Sequence, residues 1–193
     1  LDSNDFEEIS DYAKSQELVF CSTPFSETAV NILTKIKVPL FKIASGDLTH
    51  LPLISHIASK KKPIILSTGM GNNEEIRDAV KIIQKQNNNK IILMHSVSAY
   101  PTPPLETNLK SIKLMKEEFQ FITGYSDNGP GLEVPLTAIA MGAKVIEKHF
   151  TLDNKMKGPD HKFSVDPKSL KLLVKKGHEV TEMIGDGKKR CMP

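Results

Sequence analysis

Three hydroxyl- and glycine-rich turns stand in the first half of the chain: Cys21-Ser22-Thr23-Pro24-Phe25, Ser45-Gly46-Asp47 and Ser67-Thr68-Gly69-Met70-Gly71. Each follows a short apolar run. One lysine, Lys42, lies inside the run Phe41-Lys42-Ile43-Ala44, three residues before Ser45. An ammonium carried on a strand is costly to bury unless an anion meets it. Phosphate or carboxylate is the natural partner, assisted by the hydroxyls and by backbone N–H groups near Gly46 and Gly69. A structural carboxylate paired with Lys42 is the alternative.

The second half offers histidines. His95 and His149 each end an apolar run, where a metal ligand or proton-transfer group would sit, with a packing role as the alternative for each. Asp160 and His161 belong to Gly158-Pro159-Asp160-His161, a loop that either covers a site or is simply solvated. His50, His56 and His178 fall on loop or helix faces and read as surface or packing residues. Cys21 and Cys191 have no metal-ligand spacing, and Cys21, within an apolar run, reads as a small buried thiol.

The elements that must position these groups alternate in type. Short, nearly continuous apolar runs at Leu18–Ser22, Phe41–Ala44, Pro63–Leu66, Lys90–Met94, Phe121–Gly124 and Lys144–Glu147 predict strands buried on both faces. Helical spacing of apolar residues predicts helices over Glu27–Ile36, Asn73–Gln86, Asn108–Phe119, Pro135–Met141 and Pro167–Ile184. The chain also opens on a helix-like stretch. This alternation predicts a parallel α/β sheet. The first polar residues after the runs are Ser22-Thr23, Ser45, Ser67-Thr68, His95-Ser96, Ser126-Asp127 and His149. Every strand therefore delivers a hydroxyl or imidazole to its carboxyl end, which favours a TIM-type (β/α)8 barrel over a doubly wound sheet with one crevice. Six strands leave such a barrel incomplete, and two more are expected ahead of Leu1.

Composition narrows the function classes. The chain has 193 residues, 39% hydrophobic and 25% charged, with a net charge of +3 from scattered lysines. That small surplus gives no ground for a nucleic-acid or membrane partner. No apolar run approaches the roughly 20 residues of a membrane span, and the N-terminus carries no signal-peptide pattern. A reduced, cytoplasmic, soluble protein is expected.

Six phrases in order turn these generic features into a resemblance. They are Phe41-Lys42-Ile43-Ala44-Ser45-Gly46-Asp47, Ile64-Ile65-Leu66-Ser67-Thr68-Gly69-Met70, Tyr100-Pro101-Thr102-Pro103-Pro104 and Gly124-Tyr125-Ser126-Asp127. The others are the run from Gly142 to Asp153, which contains Glu147-Lys148-His149-Phe150, and Gly158-Pro159-Asp160-His161. From about Leu18 to Pro193 the chain resembles the sialic acid synthase family, which includes N-acetylneuraminate, legionaminate and pseudaminate synthases.

The resemblance implies condensation of phosphoenolpyruvate with an N-acetylated amino-sugar aldehyde, giving a sialic-type acid and phosphate. It implies that Thr23, Lys42, Ser45, Ser67 and Ser126 hold phosphoenolpyruvate, and that Asp47, Tyr100 and Asp160 surround the sugar. Ser98 also matches a ligand-facing position, as a substitution for a more usual residue. The family's divalent metal, Mn²⁺ or Mg²⁺, is held by two histidines; one matches His149, but the other position is Asn128. Lys42 and His149 are thus the expected catalytic residues, with Asn128 and His149 as metal ligands.

An amide oxygen suits hard cations, so the altered site either works, recruits metal through water, or has lost activity. The resemblance further implies that residues 1–185 are barrel strands three to eight and that 186–193 begin a linker to a C-terminal antifreeze-like domain. It also implies a homodimer in the full-length protein. A non-catalytic barrel fragment and another phosphoenolpyruvate–aldehyde synthase are the competing readings.

Overall fold

The computed structural model describes residues 2–191. Leu1, expected to open the barrel segment, and Met192-Pro193, the end of the expected linker, lie outside the described residues. The chain divides into two compact units inside one strand, after Met94.

In the first unit the elements are α1 (Ser3–Ser15), α2 (Glu27–Lys35), β1 (Phe41–Ile43), α3 (Leu51–Ser59), β2 (Ile64–Ser67) and α4 (Asn73–Lys85). The first four residues of β3 (Ile91–Ser96) complete it. The three strands pair in parallel and in chain order, with Phe41 opposite Ile64 and Ile64 opposite Ile91. Strand side chains alternate between faces, so Phe41, Ile43, Ile64 and Leu66 are buried while Lys42 and Ile65 are half-buried on the other face. Helix α4 shows how the sequence builds a layer over such a core. Asn72 caps it, with its side chain accepting from Glu74 and Glu75 while Glu75 accepts back from the Asn72 N–H. Ile76, Ala79, Val80 and Ile83, at helical spacing, are its buried face.

The second unit contains the end of β3, α5 (Lys110–Phe119), β4 (Ile122–Asp127), α6 (Glu133–Ala140), β5 (Ile146–Lys148) and α7 (Pro167–Ile184). Strands β4 and β5 run parallel, with Tyr125 opposite Ile146, Ser126 opposite Glu147 and Asp127 opposite Lys148. Ile112 of α5, Tyr125 of β4 and Ala138 of α6 form a buried cluster with Ala143. Asp166 caps α7 by accepting from the Ser169 N–H at 2.7 Å, and Pro167 occupies its first position.

Parallel strands separated by helices, in chain order within each unit, are the barrel-type α/β arrangement expected. Among the described residues five strands form rather than six. The run Leu18–Ser22 makes no strand: Ser22 O accepts from the Lys42 N–H at 3.3 Å, and Leu18 and Val19 are 66% and 68% exposed. Cys21 is accordingly exposed, not buried. Helix α3 was hidden by its composition: Leu51-Pro52-Leu53-Ile54 is nearly all apolar and carries a proline, which suits only a first turn. His50 and His178 are surface residues, and His56 packs 3.2 Å from Asn31. No helix among the described residues is long and apolar enough to cross a membrane.

Candidate active site

In the first unit the expected anion groups gather at the carboxyl ends of β1 and β2. Ser45 directly follows β1, and its Oγ accepts from the Gly69 N–H at 3.0 Å, so its own proton remains to be donated. One step beyond the Ile43–Leu66 pair, Ser67 is opposite Ala44 and is 3% exposed. Thr68 is committed elsewhere, donating through Oγ1 to Met94 O at 3.0 Å. Thr23 is half-buried beside Ser22, whose carbonyl accepts from the Lys42 N–H. Asp47, in the single 3-10 turn Ser45–Asp47, has Oδ1 4.0 Å from His50 Nδ1. Its Oδ2 is buried with no hydrogen-bond partner, a costly arrangement that a donor on a ligand would relieve.

In the second unit the register of β4 and β5 sorts the side chains by face. Ser126 Oγ donates to Glu147 Oε1 at 3.1 Å. The next pair, Asp127 and Lys148, ends the ladder, and Asn128 and His149 follow one residue beyond it. A cleft of about 150 Å³ is lined by Ser126, Asp127, Glu147, Lys148 and His149. His149 is wedged between aromatic edges: its ring centroid lies 5.1 Å from Phe163 and 5.8 Å from Tyr100, both T-shaped. Its Nδ1 is 3.6 Å from Asp160 Oδ2, within ion-pair reach, which leaves Nε2 for a ligand. His161 is tied back, with Nδ1 2.7 Å from Thr151 Oγ1.

The structure therefore brings Tyr100, His149 and Asp160 together. Ser98 lies exposed on the loop after β3, outside this group. Sequence reasoning missed Glu147 and Phe163. Glu147 interrupts the apolar run leading into β5, which was its available signal, whereas Phe163 sits in the short 3-10 turn His161–Phe163 with none.

His95 takes the packing role. Its Nε2 lies 2.8 Å from Thr107 O, and its ring meets Tyr125 at a 45° tilt with centroids 5.7 Å apart. Burial pushes its pKa below the ordinary 6.5, partly opposed by the Thr107 carbonyl. A histidine that is harder to protonate when folded stabilises the fold above the unfolded pKa, and that stability is lost as pH falls through the folded value. Thermal melts from about pH 8 to about pH 5 are thus expected to show a loss of stability starting near pH 6.5, reduced in His95→Gln. The Tyr125 hydroxyl is held neutral, its pKa raised first by burial and then by the charge of Asp127.

The donor set tests the expected metal. Among the described residues no cluster of three or more histidines, cysteines or carboxylates forms. Asn128 is 3% exposed and donates through Nδ2 to Val97 O at 2.8 Å. That carbonyl can meet only the amide's NH2 end, so the amide oxygen points the other way. One imidazole and one amide oxygen suit a hard, largely hydrated Mg²⁺ or Mn²⁺ and not a soft thiophilic ion.

Comparison with known proteins decides the family. The NeuB family pattern matches residues 1–189. The chain belongs to the NeuB family. It is 42% identical, over 99% of its length, to N,N'-diacetyllegionaminic acid synthase from Campylobacter jejuni. The N-acetylneuraminic acid synthetase structure from Leptospira borgpetersenii superposes with a TM-score of 0.95 at 35% identity, over 100% of this chain and 67% of that one. The truncated 3-deoxy-D-arabino-heptulosonate 7-phosphate synthase from Thermotoga maritima shares the fold alone, at TM-score 0.83 and 19% identity, over 96% of this chain and 74% of that one. Together these place the NeuB chain in the TIM-barrel class. The chain spans 57% and 58% of the length of two curated relatives, an uncharacterised Methanocaldococcus jannaschii protein and the Campylobacter synthase.

Proposed function

We propose that the chain is the larger part of the barrel of a nonulosonic acid synthase, joining phosphoenolpyruvate to the aldehyde of an N-acetylated amino sugar with release of phosphate. The observation that carries this reading is His149, held at the end of β5 by Tyr100, Phe163 and Asp160 with Nε2 left open. NeuB membership supports the reaction class, and the names of the Campylobacter and Leptospira relatives support the product class. In this reading residues 1–185 belong to the barrel and residues 186–193 lead toward a further domain.

The chemistry assigns distinct work to each unit. In the first, Lys42 neutralises anionic charge on phosphoenolpyruvate, while Ser45 and Ser67 donate to its oxygens and Thr23 borders them. This is positioning and electrostatic work. Asp47 Oδ2 accepts a hydrogen bond from a hydroxyl or amide N–H of the sugar, which ends its isolation. In the second unit, Ser126 borders phosphoenolpyruvate, with its hydroxyl proton given to Glu147 Oε1, and Tyr100 and Asp160 border the sugar.

The methylene carbon of phosphoenolpyruvate bonds to the aldehyde carbon, whose oxygen gains a proton. Water adds at the enol carbon, and the carbon–oxygen bond to phosphate breaks to leave the 2-keto acid. His149 and Asn128 would hold a divalent cation, which supplies Lewis-acid polarisation of the aldehyde when bound.

The test is phosphate release by the complete protein given phosphoenolpyruvate, Mn²⁺ and a panel of N-acetylated amino sugars. Turnover abolished by chelator, and by His149→Ala, is expected. Full activity in His149→Ala would remove its assigned role. Phosphoenolpyruvate binding without turnover on any sugar would favour a barrel that has lost its chemistry through Asn128.

A further inference from the structure

Behind the strand-end donors lies a buried ion pair that the chemistry above does not use. Lys148 Nζ is 2.5 Å from Asp127 Oδ2, and the two side chains are 4% and 0% exposed. The same ammonium donates to Gly129 O. The other Asp127 oxygen, Oδ1, accepts from the Gly129 N–H at 3.0 Å. Three bonds thus close a ring through Asp127, Gly129 and Lys148. Asn128 is the residue that the ring encloses, and His149 is the residue that follows its lysine.

The location of the ring is informative. Asp127–Lys148 is the last pair of the β4–β5 ladder. One residue beyond it, where Asn128 and His149 stand, no ladder bond between these strands sets their spacing. The ring takes over at that point with directional bonds to both backbone groups of Gly129. Packing alone gives no reason for charges here, because an apolar pair of similar volume commonly serves a buried site as well or better. An apolar pair cannot hold the Gly129 N–H and carbonyl. The turn is also close-fitting: a Cβ on Gly129 would lie 3.3 Å from Asp127 Oδ1 and 3.3 Å from Thr102 O.

We propose that Asp127 and Lys148 are positioning residues, whose pair, closed through Gly129, aims the Asn128 amide oxygen and the His149 imidazole into one ligand space. The inference rests on the reading of those two side chains as the cation donors. Supporting partners behind a metal site typically change affinity by about 10- to 100-fold when removed.

The experiment compares the parent protein with Asp127→Leu/Lys148→Met, which removes both charges together and keeps apolar volume. Three readouts are taken: melting temperature, Mn²⁺ affinity by electron paramagnetic resonance, and amide exchange with side-chain NMR in metal-free protein. The double variant is expected to melt within a few degrees of the parent yet bind Mn²⁺ at least about tenfold more weakly. In metal-free protein, exchange at the Gly129 amide is expected to quicken and the Asn128 and His149 side-chain signals to shift, while the Thr123 and Tyr125 amides keep their protection. A pair that merely stabilises would lower the melting point and leave those local signals in place.

Parent-like Mn²⁺ affinity together with parent-like Gly129 exchange overturns the proposal. If the parent binds no Mn²⁺, the donor reading falls, and the metal-free signals alone decide whether the pair holds Asn128 and His149. If the double variant does not fold, Gly129→Ala, which crowds the ring without uncovering a charge, supplies the same comparison.

Discussion

Asp127→Ala is expected to destabilise the protein by about 3–5 kcal/mol, since it leaves the Lys148 ammonium buried without its partner. The partner's side chain is only 4% exposed, so water cannot readily replace the carboxylate. The Gly129 N–H also loses its acceptor. For a chain of this size the change corresponds to a melting temperature lower by roughly 6–20 °C. Lys148→Ala should cost a similar amount, because it strands the carboxylate instead.

The double substitution to apolar residues should cost much less than the two single ones added together, since neither charge is then left alone. Calorimetry or denaturant melts of the parent, Asp127→Ala, Lys148→Ala and Asp127→Ala/Lys148→Ala close the cycle. Additive losses would mean that the pair is not the interacting unit described here.

This pair also shows where reading the sequence stops. Asp127 and Lys148 were visible as polar residues after apolar runs, but their pairing depends on register, which brings together residues 21 positions apart. Lys42 was legible because a lone ammonium inside an apolar run is conspicuous within one element. The same was true of Ser45, Ser67 and His149, each a polar residue at the end of an apolar run.

The elements followed the same logic. Five strands were recognisable from apolar runs bounded by turns, and the barrel class followed from what each strand delivers at its end. Leu18–Ser22 had the right residues, but strand formation needs a repeated ladder, and Leu18 and Val19 are left 66% and 68% exposed instead. Helix α3 failed as a pattern because a nearly continuous apolar segment has no periodic contrast. His95 was ambiguous in sequence. Its neighbours Tyr125 and Thr107, distant along the chain, decide for packing.

Lys42→Met is the sharpest probe of the first unit. The substitution keeps most of the side-chain stem and removes the charge. Lys42 lies on the face of β1 opposite Phe41 and Ile43, which are 0% and 1% exposed, so the core behind the strand is untouched. If Lys42 neutralises phosphoenolpyruvate, kcat/KM for that substrate is expected to fall by about 100- to 1,000-fold, the usual range for losing one preorganised electrostatic contact. The KM for the amino sugar should hardly move, because the lysine acts on the other reactant.

On that reading stability should change little, because the charge chiefly serves the substrate. The competing role predicts the reverse. A lysine that chiefly serves a carboxylate within the protein would, on substitution, lower the melting temperature and leave phosphoenolpyruvate kinetics near those of the parent. Steady-state kinetics on both substrates, with a melt on the same preparation, separate the two. Unchanged kcat/KM for phosphoenolpyruvate in a folded Lys42→Met protein would remove the anion site from β1.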